Sequence, residues 1–241
     1  MHQPPKNTRT RSHNIIRQRP GVKKNAQNAK TIEDAWTLFF PDNMLEQIVK
    51  YTNKRLDKFR SSYARERDVL PTNLIEIKSV IGLLYLAGVK KSAHINLDEF
   101  WHTDGTGIEL FRLVMSLRRF RLLLRALRFD DSDTREDRKK LDKLAPIREM
   151  FDGFIDRSKN YYNLSSNVTI DEMLESFRGR CSFRQYMPNK PAKYGIKVHA
   201  LVDSKTYYVY NMEIYAGQQP EGPYKVDNSA SGNQKIDSSH I

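Results

Sequence analysis

Apolar residues change their spacing once along this chain, near residue 166. Between about residues 41 and 155 they recur at three- and four-residue steps, which predicts amphipathic helices. Beyond residue 166 they alternate with other residues at a spacing of two, as in Ile196, Val198 and Ala200, which predicts strands. A run of helices followed by a run of strands favours an α+β fold.

The helical part contains four predicted amphipathic segments, at residues 41–59, 71–89, 108–129 and 144–155. In the second segment, Asn73 is expected to begin the helix, and Leu84 and Tyr85 are expected on its buried face. The third segment interleaves arginines with leucines. Its basic face either follows phosphates or pairs with acids from elsewhere, and the pairing is the favoured interpretation.

The β part contains three predicted strands, at residues 168–173, 196–202 and 207–214. The expected organisation is a disordered basic tail at 1–30, a helical region at 31–165, these strands within 166–216, and a disordered segment at 217–241.

The net charge of +12 at pH 7 is concentrated at the start of the chain. Residues 1–30 carry eight lysines and arginines and no acidic residue, so the tail is either a nucleic-acid arm, a nuclear address or a solvated linker. The charge indicates an anionic partner without naming it. No run of about 18 apolar residues is present, so no membrane span is expected. The single cysteine, Cys181, excludes an internal disulfide and a cysteine-based zinc site.

Asp171 is the candidate metal ligand and catalytic residue, because it lies on an apolar strand directly before a basic stretch. The candidate DNA-binding residues in that stretch are Arg178, Arg180, Arg184, Lys190, Lys193 and Lys197. A carboxylate beside a phosphate-binding surface is what phosphodiester chemistry requires.

Two-metal chemistry needs several carboxylates, and Asp171 has few local partners. Glu172 should point to the opposite face of the strand. Glu175 is a weak candidate, and Asp203 is interpreted as a structural turn residue.

Four short motifs occur in order: TIDE at 169–172, FRGR at 177–180, PNKP at 188–191 and KYGIK at 193–197. Together they closely resemble the piggyBac transposase family. The resemblance extends to residues 220–224, and the helical segment from about 31 to 163 is similar to that family's dimerisation and DNA-binding region.

This resemblance implies a cut-and-paste DNA transposase whose ribonuclease-H-like catalytic domain binds Mg²⁺ through three aspartates. Asp171 matches the first aspartate. The second and third lie beyond the point in the family that corresponds to Ile241, so the strands are expected to be the first part of an incomplete domain that binds no Mg²⁺ productively. DNA is the expected partner, a homodimer is considered, and a nuclear location is expected.

Three hypotheses of different classes follow from these expectations. The first is a transposase-derived protein that binds DNA without cutting it. The second is a fragment or incomplete gene model of an active transposase. The third is a domesticated, dimerising interaction protein that has lost its DNA role.

Overall fold

The computed structural model describes residues 18–23, 25–90 and 95–225. It divides into two compact units: Phe40–Phe151, here called the helical unit, and Met1–Phe39 with Asp152–Ile241, here called the sheet unit. This division differs from the boundaries expected at residues 31 and 166, because residues on both sides of the helical unit contribute to the sheet unit.

The described residues form seven α-helices and six strands. The helices are α1 (Ile32–Phe39), α2 (Asp42–Arg60), α3 (Leu74–Val89), α4 (Glu109–Val114), α5 (Leu117–Ala126), α6 (Arg135–Lys139) and α7 (Arg148–Tyr161). The strands are β1 (Gly21–Val22), β2 (Tyr162–Asn163), β3 (Val168–Ser176), β4 (Gln185–Tyr186), β5 (Tyr194–Asp203) and β6 (Val209–Ile214). Helices with antiparallel sheets confirm the predicted α+β class. None of these helices is long and apolar enough to span a bilayer.

The core of the helical unit is built from α2, α3, α4 and α5 around two phenylalanines. Phe111 and Phe120 are almost fully buried, and the Phe111 ring stacks on Phe100 with the ring centroids 4.8 Å apart. Leu56 of α2 and Leu123 of α5 pack in the same cluster. Burial of these side chains stabilises the arrangement of the four helices.

The third predicted segment, residues 108–129, is not one helix. Met115 has an extended backbone, and Ser116 begins α5 by accepting a hydrogen bond from the Arg119 N–H. A serine at this position satisfies a free N–H of the new helix, which favours a break there.

Helix α3 begins as expected, but its expected buried stripe is only partly right. The Asn73 side chain accepts a 2.9 Å hydrogen bond from the Glu76 N–H. The buried positions include Ile77 and Leu83, whereas Leu84 and Tyr85 are exposed, so the expected stripe was wrong at those two residues. Since α3 is apolar on most sides, spacing alone did not identify its buried face.

The main sheet of the sheet unit is antiparallel. Strand β3 pairs along its whole length with β5, and β4 and β6 pair with β5 on its other side. A Cβ on Gly195 would lie 2.1 Å from the backbone oxygen of Glu175, so glycine allows β3 and β5 to approach closely there. Among the described residues, β3 is an edge strand.

A second, two-stranded sheet joins distant parts of the chain. Gly21 pairs with Asn163 and Val22 with Tyr162, and the Lys23 N–H donates to the Tyr161 carbonyl at 2.8 Å. This part of the expected disordered tail therefore has structure. The strand was not predicted, since its pairing partner lies about 140 residues away in the sequence. Residues 1–17, 24 and 226–241 of the two expected disordered segments lie outside the described residues. Residues 217–225 contain turns and bends without a helix or strand.

Candidate nucleic-acid interface

Asp171 lies in the middle of β3, where it pairs with Ala200 of β5. Its side chain is exposed, and its Oδ1 accepts a 2.7 Å hydrogen bond from the Glu172 N–H. Strand pairing thus presents the carboxylate to solvent, and its role as a metal ligand stays a prediction.

The other acids of the sheet do not join Asp171 in a metal site. Glu172 instead forms a 2.6 Å ion pair with Lys197, and the hydrogen bond from Lys197 lowers the pKa of Glu172 against the opposing effect of burial. No group of three or more His, Cys, Asp or Glu residues in the described part of the chain is placed to hold a metal ion.

Asp203 has a structural role at the end of β5. Its fully buried carboxylate accepts backbone hydrogen bonds from Ser165 at 2.6 Å, Lys205 at 2.9 Å and Thr206 at 3.1 Å. These bonds, with that from Ser165 the largest contribution, lower the pKa of Asp203 to about 2. The carboxylate therefore holds the chain before β3 against the turn after β5.

Four of the six predicted DNA-binding residues are exposed in the connection between β3 and β5, and one of them, Arg184, is hydrogen-bonded within the sheet unit. Arg178, Arg180 and Lys193 face solvent, and none of them is in an ion pair with another described residue. Gly179 lies between the two arginines, and a Cβ there would lie 2.5 Å from the Phe177 ring. We call these three exposed cations the basic loop.

The other three predicted residues make contacts within the sheet unit. Arg184 donates to the carbonyls of Arg178 and Gly179 at 3.3 and 3.2 Å. Lys190 donates to the Glu172 carbonyl at 2.9 Å, and Lys197 holds the Glu172 carboxylate. These contacts order the connection and leave Arg178, Arg180 and Lys193 of the basic loop available to an anion.

Most arginines of the 108–129 segment pair with acids, as the favoured interpretation predicted. Ion pairs join Arg112 to Glu109, Arg118 to Asp68, Arg119 to Glu76 and Arg121 to Asp98. Arg125 instead donates to the Tyr63 hydroxyl at 2.6 Å, and Arg128 to the carbonyls of Arg125 and Leu127. These two arginines therefore carry positive charge without an acid partner among the described residues.

Arg55 of α2 is a third member of this group, and it was not among the predicted residues. Its guanidinium lies over the Phe59 ring at 4.6 Å, as does that of Arg125. Arg55 and Phe59 are four residues apart on α2, so they share one helix face, and this spacing was the available signal.

Comparisons with known proteins agree with this fold. The sequence profile of a family described as Transposase IS4 matches residues 33–236. A solved structure, titled as a cryo-EM structure of piggyBac transposase synaptic complex with hairpin DNA, has a TM-score of 0.77 and 34% sequence identity. The match covers 86% of this chain and 43% of that one. This chain belongs to the piggyBac transposase family.

Two human proteins also show the likeness to the piggyBac family. PiggyBac transposable element-derived protein 3 is 24% identical over 194 residues, which covers 79% of this chain and 30% of that protein. Chimeric ERCC6-PGBD3 protein has the same identity over 194 residues, covering 79% of this chain and 17% of that protein. The chain thus spans a third or less of the curated relatives it matches.

Proposed function

We propose that this piggyBac-family chain binds DNA through its backbone phosphates and does not cut it with the residues described. The basic loop carries the proposal: Arg178, Arg180 and Lys193 are each exposed, without an acid partner among the described residues. Guanidinium groups bind phosphate oxygens in pairs of hydrogen bonds, and lysine adds a point charge. The similar piggyBac transposase structure, which holds hairpin DNA, supports this choice of partner.

The finer assignments of the fold belong to the same proposal. We infer that β3, β5 and β6 correspond to the first strands of a ribonuclease-H-like domain, and that the helical unit takes part in DNA binding and dimerisation. The 34% identity to the solved transposase supports the correspondence. A nuclear location follows from the proposed partner.

The metal chemistry of the family does not fit the described residues. A two-metal site needs several carboxylates around its ions, whereas the described acids form no such group around Asp171. We therefore assign no catalytic step to this chain, and Asp171 stays a proposed Mg²⁺ ligand.

Binding to a labelled random-sequence duplex, followed by fluorescence anisotropy over a range of salt concentrations, tests the proposal. Arg178→Ala with Arg180→Ala should weaken binding on every sequence and reduce the salt slope by roughly 2, since each lost phosphate contact removes about 0.9. Asp171→Ala should leave the affinity nearly unchanged, because removing an acid costs no phosphate contact.

The matched control is Lys139→Ala with Lys140→Ala, which removes the same charge from two lysines already paired with acids on α6. This control should change the salt slope less than the arginine double variant does. Equal slopes for the two double variants, or a large loss of binding in Asp171→Ala, would contradict the proposed interface.

A second candidate function is cut-and-paste transposition, with these residues acting as part of a longer transposase. The partial coverage of the relatives, 30% of the human protein and 43% of the solved chain, favours it. Sequencing the transcript on both sides of this coding segment is the test. In-frame sequence that continues the family match would support the candidate.

A further inference from the structure

Two arginines from different helices flank one aromatic ring in the helical unit. The guanidinium carbons of Arg55 on α2 and Arg125 on α5 each lie 4.6 Å from the centroid of Phe59. Cation–π attraction stabilises each contact. It holds two like charges close together without neutralising either.

Arg128 adds a third positive charge to the same place. Its backbone N–H donates to the Thr52 hydroxyl at 3.2 Å, which places the backbone of Arg128 against α2, one turn before Arg55. Burial lowers the pKa of Arg128, and repulsion from Arg55 and Arg135 lowers it further. We call Arg55, Arg125 and Arg128 the arginine cluster.

The polar contacts of the arginine cluster do not neutralise its positive charge. Arg125 donates to the Tyr63 hydroxyl, and Arg128 donates to two backbone carbonyls. The Arg55 Nε is buried without a hydrogen-bond partner. A nearby acid, Asp130, is already held by Arg135 and Arg138. Buried donors normally have partners, so the cluster has the chemistry of a site for an external anion.

Other arginines on α5 show that this arrangement is particular to the cluster. Arg118, Arg119 and Arg121 each pair with a carboxylate. An open groove of ≈ 490 Å³ runs along this face, lined by Arg118, Arg121, Arg125 and Tyr63 among others. A phosphodiester backbone in that groove would meet Arg125, which has no acid partner among the described residues.

We propose that the arginine cluster is a DNA backbone phosphate site on the helical unit, separate in sequence from the basic loop. The inference rests on the proposed DNA-binding function and adds a second point of contact to it. Arginine is suited to this role, because its planar group binds two phosphate oxygens at once while it stacks on an aromatic ring. A protein carboxylate is the competing anion, and the experiment separates the two.

The test measures duplex-DNA affinity of the full chain and its variants from about 50 to 200 mM salt by fluorescence anisotropy. Arg55→Gln and Arg125→Gln should each weaken binding roughly tenfold and reduce the salt slope by about 0.9. The control is Arg118→Gln, which removes the same charge from the same helix and groove, but from an arginine paired with Asp68. It should change the affinity less than either cluster variant does.

Two further measurements keep the test independent of folding. Thermal unfolding followed by circular dichroism identifies any variant that has lost its structure. Arg55→Lys with Arg125→Lys keeps both charges, so it should restore the salt slope of the parent chain while binding more weakly.

Each outcome decides between the two proposals. If the parent chain binds no duplex, both the proposed function and this site are overturned. If the parent binds and the folded cluster variants match Arg118→Gln, only this site is overturned, and the cluster then fits a protein carboxylate better. If the cluster variants lose binding while the variants of the basic loop do not, the cluster stands and the loop interface fails.

Discussion

Glu76→Gln should destabilise the helical unit by about 2 kcal/mol at neutral pH. The Glu76 carboxylate accepts two 2.7 Å hydrogen bonds from Arg119 and one of 2.6 Å from Thr72. Arg119 also donates to the carbonyls of Leu70 and Pro71, so the pair joins α3, α5 and the segment before α3. A hydrogen bond to a charged group contributes about 1.5–3 kcal/mol, and the partial exposure of both side chains, 18% and 23%, reduces its strength.

The pH dependence makes the Glu76 prediction specific. Burial alone would raise the pKa of Glu76, but the hydrogen bonds from Arg119 and Thr72 and the charge of Arg119 together lower it. The folded pKa therefore lies below the unfolded one, so the stabilisation is present above about pH 4 and is lost as the pH falls through the folded pKa. The difference between parent and variant should disappear in acid, where the parent carboxyl is also neutral.

Urea unfolding at a series of pH values measures this difference. The fluorescence of Trp101 reports on the helical unit when both proteins carry Trp36→Phe, because Trp36 lies in the sheet unit. Asp137→Asn is the control. Both side chains of its ion pair with Lys140 are exposed, so this pair should contribute nothing measurable to the free energy of unfolding. A stability difference for Glu76→Gln that is absent at pH 7, or that persists unchanged in acid, would refute this reasoning.

Three further substitutions test the packing. Phe111→Ala should destabilise the helical unit by about 3–5 kcal/mol in urea unfolding, because it leaves a cavity beside Phe100; a loss below about 1 kcal/mol would contradict the packing. Gly195→Ala should speed amide exchange along β3 and β5, because its Cβ would meet the Glu175 carbonyl, and unchanged exchange would argue against that close approach. Asp203→Asn should remove acid-dependent unfolding of the sheet unit. With its pKa lowered to about 2 in the folded state, the Asp203 carboxylate stabilises the fold above about pH 4, and this stabilisation is lost as the pH falls through the folded pKa. Circular dichroism during acid titration shows whether parent and variant differ.

Local chemistry accounts for the parts of the fold that the sequence predicted well. Asn73 begins α3 because a side-chain amide oxygen accepts a backbone N–H there. The long strands were predictable from alternation, and β3 and β5 pair over most of the predicted positions. Asp203 was interpreted as structural from its turn position, and its buried hydrogen bonds agree with that interpretation.

The features that were missed depend on contacts between distant residues. Strand β1 has only two residues in a basic stretch, and its partner β2 follows the helical unit. The arginines of α5 look alike in sequence, yet Arg119 meets Glu76 while Arg125 meets Tyr63. Spacing predicts which face of a helix a residue occupies, but it does not say which side chain another helix brings to that face.

The pairing of β1 with β2 has a consequence for the order in which a newly synthesised chain folds. The sheet unit is discontinuous, and Phe40–Phe151 lies between its two parts. The ribosome therefore makes every residue of the helical unit before Tyr162 and Asn163 can pair with Val22 and Gly21. Domains generally fold as units during synthesis. We expect the helical unit to fold first, so that the early strand β1 stays unpaired until most of the chain has been translated.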